Sequence, residues 1–365
     1  MTLVGIMGGG QLGMMLAEAG AVMGIECLTL DPASDSPASR VAPAIVGDYD
    51  DETALAELAA AADVVTYEFE NVPVASARFL AERVRVFPPP ESLEFAQDRL
   101  LEKTLFEDVG LAVAPFSPVA SKEELFEALD VIGVPSVLKT RRLGYDGKGQ
   151  VRLESVDEVE GAWRVVGEVP SILESLVPFE RELSILGVRG QGGEAAFYPL
   201  VENVHRDGIL HVSTAPAPDV TPVLQAMAER HALAVMERLG HVGVLAIELF
   251  AVGEGLLANE MAPRVHNSGH WTIEGAATSQ FENHLRAICG LELGPTSPSA
   301  YSAMVNLIGS VPPKGSFDDE PSVHLHLYGK ASRPGRKLGH ITVIGPEPDT
   351  RDRVLGRVTQ TADKT

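Results

Sequence analysis

The stretch Asn259-Glu260-Met261-Ala262-Pro263-Arg264-Val265-His266-Asn267-Ser268-Gly269-His270-Trp271 carries most of the information in this 365-residue chain. It follows an apolar run, residues 242–252, that contains a single acid, Glu248. Gly253-Glu254-Gly255 separates that run from a second one, residues 256–261. Two such runs around a short glycine-containing turn predict an antiparallel hairpin. A turn centred on Glu254 would place Glu248 and Glu260 opposite each other on one face.

The two glutamates of this hairpin indicate a cation site. Directly opposed side chains in an antiparallel ladder have Cβ atoms roughly 4.5–5.5 Å apart. Two ionised carboxylates at that separation repel unless a cation lies between them, and Mg²⁺ takes oxygen ligands together with substrate phosphates. A solvated sheet face with two unrelated acids explains the pair equally well. The donor-rich loop at 264–271 favours the site, because such loops on a rigid scaffold serve binding.

Composition narrows the class of protein. The chain has ordinary globular content, with 45% hydrophobic and 22% charged residues, and its length predicts two or three domains. A net charge of −22 argues against a nucleic-acid partner and against an anionic membrane. No apolar run is long enough to span a bilayer, and the N-terminus lacks signal-peptide features. Two cysteines allow neither a disulfide framework nor a zinc motif, so we expect a cytoplasmic protein.

A first glycine cluster lies at the N-terminus. A strand at residues 2–7, the turn Gly8-Gly9-Gly10-Gln11-Leu12-Gly13, a helix to Met23 and a strand ending at Asp31 predict a βαβ unit of a parallel sheet. This pattern is typical of a dinucleotide site and would suit an NAD-dependent dehydrogenase. The helix N-terminus could instead hold another anion, or the glycines could serve tight packing alone.

A second glycine cluster favours a different nucleotide site. Lys139 ends an apolar strand, and Gly144-Tyr145-Asp146-Gly147-Lys148-Gly149-Gln150 follows before the next strand. The N–H groups of such a loop can hold phosphates, with the lysine as a point charge. The lysine precedes the glycines and no helix follows, so this is not a Walker A loop. A plain mobile hairpin is the alternative.

Other polar groups are less specific. The end of a strand at Glu174 could present backbone groups to an adenine, whereas Glu182 and His205 suit satisfied polar residues. The basic segment from Lys330 to His340 predicts an anion site or a solvated turn. His324 and His326 are interpreted as structural, and the polar last dozen residues as disordered.

Taken together, these motifs resemble the ATP-grasp superfamily: a lysine and glycine-rich lid loop, a hinge that begins at a glutamate, and a Glu…Asn-Glu magnesium pair. The strings 10–13, 97–99, 144–150, 259–271 and 333–340 resemble the N5-carboxyaminoimidazole ribonucleotide synthetase family of purine biosynthesis. The resemblance extends over residues 3–345. It implies an α/β and α+β ATP-grasp fold with three parts. These are a Rossmann-like pre-ATP-grasp domain (1–95), a connector helix with a small lid domain (96–178) and a larger C-terminal mixed α/β domain (179–365).

The resemblance also implies site residues, carried over by position. Those expected to bind ATP are Arg99, Lys139, Gly144, Tyr145, Asp146, Gly147, Lys148, Gly149, Gln150, Glu174, Ser175, Leu176, Val177, Glu182, His205, Asn259 and Glu260. Those expected to contact the ribonucleotide are Gln11, Glu70, Tyr145, Ser268, Lys330, Arg336 and Lys337. Those expected around bicarbonate and the reacting amine are Asp146, Arg264, His266, Asn267 and Lys330. Mg²⁺, with Mn²⁺ as an alternative, is expected at Glu248 and Glu260.

The implied activity is that of a C–N ligase. It would join 5-aminoimidazole ribonucleotide and bicarbonate, through carboxyphosphate, to N5-carboxyaminoimidazole ribonucleotide, ADP and phosphate. A homodimer is expected from the resemblance alone. The alternatives are a formate-using ATP-grasp transferase of purine synthesis, which should differ in the 264–271 and 330–340 strings, and the NAD-dependent dehydrogenase. A non-catalytic nucleotide-binding regulator is a further alternative, weakened by the presence of Lys139, Asp146, Glu248 and Glu260.

Overall fold

The computed structural model describes residues 2–144 and 147–362. Tyr145 and Asp146, both expected in the site, lie outside the described residues. In these two ranges, three β-sheets of five, four and nine strands follow one another. The first and second sheets each have a cluster of buried apolar side chains of their own, and one further cluster joins the first sheet to the third. The α/β and α+β expectation is thereby confirmed.

The first sheet is parallel, with strand order β3-β2-β1-β4-β5. Its elements are β1 (Leu3–Met7), α1 (Gln11–Met23), β2 (Glu26–Asp31), β3 (Ala44–Val46), α2 (Glu52–Ala61), β4 (Val64–Tyr67), α3 (Val74–Ala81), β5 (Arg85–Val86) and α4 (Pro90–Ala96), with a 3₁₀ turn at Pro37–Arg40. The carboxyl ends of parallel strands meet at one edge, where ligands bind in such sheets. The predicted βαβ unit is therefore confirmed, and its glycine turn lies at that edge.

The second sheet is antiparallel, with order β6-β9-β7-β8. A connector helix, α5 (Arg99–Asp108), leads into it. The elements that follow are β6 (Phe116–Val119), α6 (Lys122–Ile132), β7 (Ser136–Thr140), β8 (Gln150–Leu153), α7 (Val159–Val165) and β9 (Ser171–Ser175), with a 3₁₀ turn at Val156–Glu158. The second glycine cluster connects β7 to β8, so its position between two strands agrees with the sequence.

The third sheet is antiparallel, with order β15-β14-β10-β12-β13-β16-β18-β17, and β11 pairs with β10. Its elements are β10 (Arg181–Arg189), β11 (Ala195–Phe197), β12 (Val201–Arg206), β13 (Ile209–Ala215), α8 (Pro222–Arg238), β14 (Gly243–Val252), β15 (Gly255–Ala262), α9 (Thr272–Gly275), α10 (Gln280–Cys289), β16 (Tyr301–Ile308), β17 (Val323–Leu327), β18 (Lys337–Gly345) and α11 (Pro348–Ala362), with a 3₁₀ turn at Asn267–Gly269. Helix α5 shares a core with this sheet, because Leu105 and Phe106 pack with Leu249 and Leu256.

Two histidines join the first and third sheets. His284 Nε2 lies 2.8 Å from Thr66 Oγ1 of β4, and its Nδ1 accepts the Val244 N–H at 3.1 Å. His241 Nδ1 lies 3.1 Å from Ser92 Oγ of α4, and its Nε2 lies 3.1 Å from the Val244 carbonyl oxygen. Both rings are fully buried. Each ring therefore has one donor and one acceptor nitrogen in use, which is the pattern of a neutral imidazole.

The C-terminal segment differs from expectation. The sequence suggests disorder over the last dozen residues, but α11 extends to Ala362 and residues 363–365 lie outside the described part. Val354 and Val358 are buried against the sheet with Val305 and Ile341. Their spacing of four places both on one helix face, and that face provides the packing that a polar composition hides. No helix among the described residues is long and apolar enough to cross a bilayer. The domain boundaries stay a prediction.

Candidate active site

A cleft of about 620 Å³ opens where the three sheets meet. Each sheet contributes side chains to it. The predicted site residues that line it are Gln11, Glu70, Arg99, Lys139, Gly144, Gly147, Lys148, Gln150, Glu182, His205, Glu248, Asn259, Glu260, Arg264, His266, Asn267 and Lys337. Residues that are far apart in the sequence, from Gln11 to Lys337, are thus brought together in one place. Their shared location supports the expectation of a single nucleotide and substrate site.

Glu248 and Glu260 are directly opposed in the β14–β15 ladder, as the sequence predicts. The turn, however, is not centred on Glu254: Val252 pairs with Gly255, and the ladder continues in that register to Leu249 and Ala258. That register alone would place Asn259 opposite Glu248. A β-bulge at Asn259 shifts the register by one residue and restores the Glu248–Glu260 pair. The expected pairing is therefore confirmed and the expected turn geometry is wrong.

The carboxylate pair is strongly perturbed. Burial in the cleft, followed by the charge of Glu260, raises the pKa of Glu248 to about 7. Burial acts in the same direction on Glu260, but Arg99, whose Nη1 lies 3.0 Å from Glu260 Oε2, lowers the pKa of that carboxyl overall. Glu260 is therefore ionised first, and Glu248 is the carboxyl that a bound cation would deprotonate.

The donor set beside the pair suits a hard cation. Asn259 Oδ1 is buried and has no hydrogen-bond partner among the described residues. Together with the two carboxylates it offers the oxygen ligands that Mg²⁺ prefers. No group of three or more His, Cys, Asp or Glu side chains in the described ranges forms a metal site by itself. A cation here would take its remaining ligands from phosphate oxygens and water, as Mg²⁺ usually does.

Lys139 and Glu174 form a buried ion pair at the lid. Lys139 Nζ lies 3.0 Å from Glu174 Oε2, and Lys103 Nζ of α5 lies 3.3 Å from the same oxygen. Burial opposes ionisation of Glu174, but Lys139 and then Lys103 lower the pKa of its carboxyl to about 2. The Glu174 side chain is 3% exposed and does not line the cleft. The Glu174 carboxylate therefore forms ion pairs with both lysines. The sequence did not predict this role for the side chain.

The second glycine loop lies against the β12–β13 turn. Gly147 has a φ of +75°, and a Cβ there would lie 3.3 Å from Gly208 Cα. Only glycine combines this backbone conformation with so close an approach. Nearby, Glu182 Oε2 lies 2.6 Å from His205 Nδ1. Burial lowers the pKa of His205, but the hydrogen bond to Glu182 and the charge of Glu248 raise it overall.

The opposite end of the cleft is rich in hydrogen bonds between distant residues. Arg264 Nε donates to Glu70 Oε2 at 2.5 Å, and Gln97 Nε2 donates to the Glu70 carbonyl oxygen at 2.7 Å. Asn267 and Asn306 exchange amide hydrogen bonds of 3.1 and 2.6 Å. These contacts fix the direction of the Arg264 guanidinium and the Asn267 amide. A rigid, donor-rich end of this kind is suited to a polar second substrate.

Some predicted residues do not line the cleft. Lys330 Nζ donates to Gln11 Oε1, and burial lowers the pKa of its ammonium group. Ser268 is buried, with its Oγ 2.9 Å from both Ser184 Oγ and His266 Nδ1. Arg336 is half-buried and donates to the Ala331 carbonyl oxygen at 3.2 Å. The others outside the lining are Gly149, Glu174, Ser175, Leu176 and Val177. Contact of these residues with ligands stays a prediction.

The first glycine turn is occupied by the protein itself. Gly10 N donates to Glu68 Oε1 at 2.6 Å and Gly13 N to Glu68 Oε2 at 2.8 Å, while Gly9 N donates to Asp31 Oδ2 at 2.8 Å. These are the N–H groups that a dinucleotide pyrophosphate would need. A side chain at Gly10 would collide with the Glu68 carboxyl group. The arrangement argues against the dinucleotide interpretation and gives the glycines another role.

The sequence missed three charged residues at the site. Glu68 and Glu102 line the cleft, and Lys103 lies directly behind it. Glu102 and Lys103 are adjacent on α5 and are 2% and 0% exposed. Burial, followed by the charge of Glu260, raises the pKa of Glu102 to about 8. Glu102 and Lys103 could have been found from the sequence of α5, because they are charged residues on the buried face of the helix that also carries Leu105 and Phe106.

Comparison with known proteins defines the class first. Three family models match in order: a ribonucleotide synthetase preATP-grasp domain at residues 1–97, an ATP-grasp domain at 104–281, and a phosphoribosylaminoimidazole carboxylase C-terminal domain at 302–353. These matches and the three-sheet architecture show that the chain is an ATP-grasp protein with a pre-ATP-grasp domain at its N-terminus.

The chain belongs to the N5-carboxyaminoimidazole ribonucleotide synthase family. It is 51% identical to the Pseudomonas aeruginosa synthase, over 93% of this chain and 94% of that protein. The crystal structure of the Thermus thermophilus synthetase is 53% identical and superimposes with a TM-score of 0.95 over 98% of both chains. The Aspergillus clavatus synthase, solved with ADP and 5-aminoimidazole ribonucleotide, is 31% identical and has a TM-score of 0.93 over 100% of this chain and 99% of that chain.

Proposed function

We propose that the protein is the ATP-dependent ligase that carboxylates 5-aminoimidazole ribonucleotide in purine biosynthesis, producing N5-carboxyaminoimidazole ribonucleotide, ADP and phosphate. The observation that carries this proposal is the single cleft. It combines an opposed carboxylate pair and Lys139 with Arg264, His266 and Asn267, and His266 Nε2 lies 3.6 Å from Glu248 Oε1. The names of the relatives and the ligands of the Aspergillus clavatus complex support the same substrate.

ATP would lie over the end of the cleft formed by the second and third sheets. Lys139 and the N–H groups of the glycine loop would face its phosphates, and Glu248, Glu260 and Asn259 would hold Mg²⁺. The opposed carboxylate pair and the Asn259 oxygen that lacks a hydrogen-bond partner among the described residues support the metal part of this proposal. When bound, Mg²⁺ would neutralise charge that develops on the phosphate oxygens.

The remaining residues account for the two-step chemistry. Bicarbonate is a poor electrophile, so its oxygen would attack the γ-phosphorus, break the bond to the β–γ bridging oxygen and give carboxyphosphate and ADP. Arg264 offers a planar fork for the bicarbonate oxygens, and its bond to Glu70 fixes that fork in place. The Arg264 side chain is 13% exposed, so its charge acts in a region with little water. His266 and Asn267 lie beside it.

The amine of the ribonucleotide would then attack the carboxyl carbon of carboxyphosphate and displace phosphate, or attack CO₂ after carboxyphosphate has broken down to CO₂ and phosphate. In either case the amine nitrogen loses a proton. Asp146, which the resemblance places beside the reacting amine, would orient this amine or take its proton, and it lies outside the described residues. Lys330 is poised near Gln11 at the ribonucleotide end, and the burial that lowers its pKa eases transfer of a proton through its amine. Arg336 and Lys337 supply positive charge for the ribonucleotide phosphate.

We further propose a homodimer in the cytoplasm, with no nucleic-acid or membrane partner. This part of the proposal rests on the family and on the net charge of −22. Sedimentation velocity at micromolar concentration tests the dimer. A single species of about 39 kDa, the mass of one chain, would contradict it.

The deciding experiment measures phosphate release from ATP by purified protein with Mg²⁺, omitting bicarbonate and 5-aminoimidazole ribonucleotide in turn. Full turnover is expected only when both are present. Turnover with formate in place of bicarbonate would favour the formate-using transferase. A rate that does not respond to the ribonucleotide would show that the second substrate is wrong while the ATP-grasp class stands.

A further inference from the structure

The outer edge of β15 is covered by side chains of α5 rather than by a strand. β15 ends the nine-stranded sheet, and its free edge meets the segment at residues 112–113. The Ala258 N–H donates to the Ala112 carbonyl oxygen at 2.8 Å, and Val113 forms an isolated bridge with Ala258. Two buried side chains of α5 bind this edge. Glu102 Oε1 accepts the Met261 N–H at 2.6 Å, and Lys103 Nζ donates to the Ala258 carbonyl oxygen at 3.3 Å.

These two contacts bracket the bulge at Asn259. Ala258 lies immediately before it, and Met261 follows the glutamate that the bulge redirects. A register slip of one residue turns every following side chain to the opposite face of a sheet. Without the bulge, Glu260 would point away from Glu248 and Asn259 would take its place. The direction of Glu260 therefore depends on whatever holds Met261 in the shifted register.

Glu102 is placed to do this. Its carboxyl group is 2% exposed, lines the same cleft and satisfies a backbone N–H that faces away from β14. An N–H group buried at a sheet edge is strongly disfavoured without a partner, so removal of the acceptor favours another backbone arrangement of the strand. Lys103 is also committed to Glu174, whereas the Glu102 contact serves the bulge directly.

We propose that Glu102 is a positioning residue of the metal site: by accepting the Met261 N–H, its carboxyl group holds the Asn259 bulge in the register that aims Glu260 at Glu248. This inference rests on the proposed Mg²⁺ site. It predicts that the contact matters for the metal-dependent part of nucleotide binding and much less for nucleotide binding itself.

The test compares two variants of Glu102 by calorimetry of ADP binding, once with EDTA and once with saturating Mg²⁺. The ratio of the two dissociation constants gives the gain in affinity due to the metal. Glu102→Gln keeps an oxygen acceptor for Met261, so its ratio should stay within about twofold of wild type. Glu102→Leu lacks the acceptor, and its ratio should fall about tenfold, equivalent to about 1.4 kcal/mol, with affinity in EDTA unchanged within about twofold.

Two further variants distinguish failure of the proposed metal site from failure of the proposed role of Glu102. Glu107→Gln changes an exposed glutamate on the same helix and should behave as wild type. Glu260→Gln reports on the metal site itself: if it keeps the full Mg²⁺ gain, the proposed metal site fails and the inference fails with it. If Glu260→Gln loses the gain but Glu102→Leu keeps it, or loses affinity equally in EDTA, only the role of Glu102 is overturned.

Should Glu102→Leu fail to fold, Glu102→Asp replaces it. Aspartate keeps the charge but is one methylene shorter, so it should reach Met261 poorly and lose more of the Mg²⁺ gain than Glu102→Gln. Equal behaviour of the aspartate and glutamine variants, or a greater loss in the glutamine variant, would overturn the inference.

Discussion

Asn259 decides which side chain completes the carboxylate pair. The two-residue turn at Gly253 and Glu254 sets a register in which Glu248 would oppose Asn259, and the bulge replaces it with Glu260. Reasoning from sequence reached the pairing through a turn of the wrong length, since a hairpin pattern shows neither where a bulge lies nor which edge contact holds it. What the sequence did contain was the set of residue types, and those were sufficient to suggest Mg²⁺.

At this scale the carboxylate pair has a measurable consequence. Glu260→Gln removes the partner of Arg99 and one cation ligand, so we expect kcat to fall by about 10²–10³-fold, the range typical of losing one preorganised electrostatic group. Steady-state phosphate release at saturating substrates measures it. Glu254→Gln, at the exposed tip of the same hairpin, is the matched control. A decrease of less than about threefold for Glu260→Gln would remove Glu260 from the site.

A second residue-scale prediction concerns Asp146. Asp146→Asn should retain nucleotide binding, because the amide can replace the carboxylate sterically, but it should lose carboxylation of the ribonucleotide. Calorimetry with ADP and Mg²⁺ measures the first property, and phosphate release dependent on the ribonucleotide measures the second. Full turnover in the variant would exclude Asp146 from proton transfer.

At the scale of the element, α5 connects the lid to the metal hairpin. Its first turn begins at Asp98, whose carboxylate accepts the Leu100 N–H at 3.1 Å and two hydrogen bonds, of 2.9 and 2.7 Å, from Arg141 at the end of β7. Burial opposes the charge on Asp98, but these bonds lower the pKa of its carboxyl overall. The residue pattern predicted a connector helix, and the resemblance added only Arg99 as a site residue. The hydrogen bonds to Arg141 and Glu260 were not foreseen, because those partners lie 43 and 161 residues away.

Asp98→Ala should therefore destabilise the protein. Loss of an N-cap and of charge-assisted hydrogen bonds at a site that is 3% exposed should reduce the free energy of unfolding by about 1–3 kcal/mol. Urea unfolding at pH 7 measures this change. Asp108→Ala changes an exposed acid at the other end of α5 and should stay within about 0.5 kcal/mol of wild type.

At the scale of the whole molecule, His241 and His284 join the first sheet to the third. The sequence around these two histidines did not predict this role, because a histidine at an interface between sheets has the same sequence pattern as any other buried polar residue. Burial lowers the pKa of His241 to about 4 and of His284 to about 3, below the value of about 6.5 in an unfolded chain. The folded state therefore binds fewer protons, and its stability falls as the pH falls below about 6.5.

The acid sensitivity caused by these two histidines is measurable. Each histidine should contribute about 2 kcal/mol less stability at pH 5 than at pH 7. Urea unfolding at the two pH values measures the difference, and its pH dependence should be smaller in a His284→Gln variant, which can still bond to Thr66 and Val244. His324, a half-buried histidine of β17, provides the control as His324→Gln. An unchanged slope in the His284 variant would assign the acid sensitivity to other groups.

The fold as a whole was more accessible from the sequence than the details of its site. Period-two and helical patterns located the βαβ unit, the hairpin and the lid strands, since these depend on neighbours in the sequence. The terminal helix α11 was missed because only Val354 and Val358 reveal its buried face. Glu68, Glu102 and Lys103 were missed because their partners come from distant segments.

Glu68 has a practical meaning for anyone who seeks inhibitors of this enzyme. The N-terminal glycine turn looks like an opening for compounds that mimic nicotinamide cofactors, yet the protein's own carboxylate already fills it through Gly10 and Gly13. A compound built on a dinucleotide scaffold would therefore have to displace the Glu68 carboxylate before its phosphates could reach these N–H groups. Medicinal chemistry is better directed to the Arg264–Glu70 end of the cleft, where the hydrogen bond between these two side chains fixes the direction of the guanidinium.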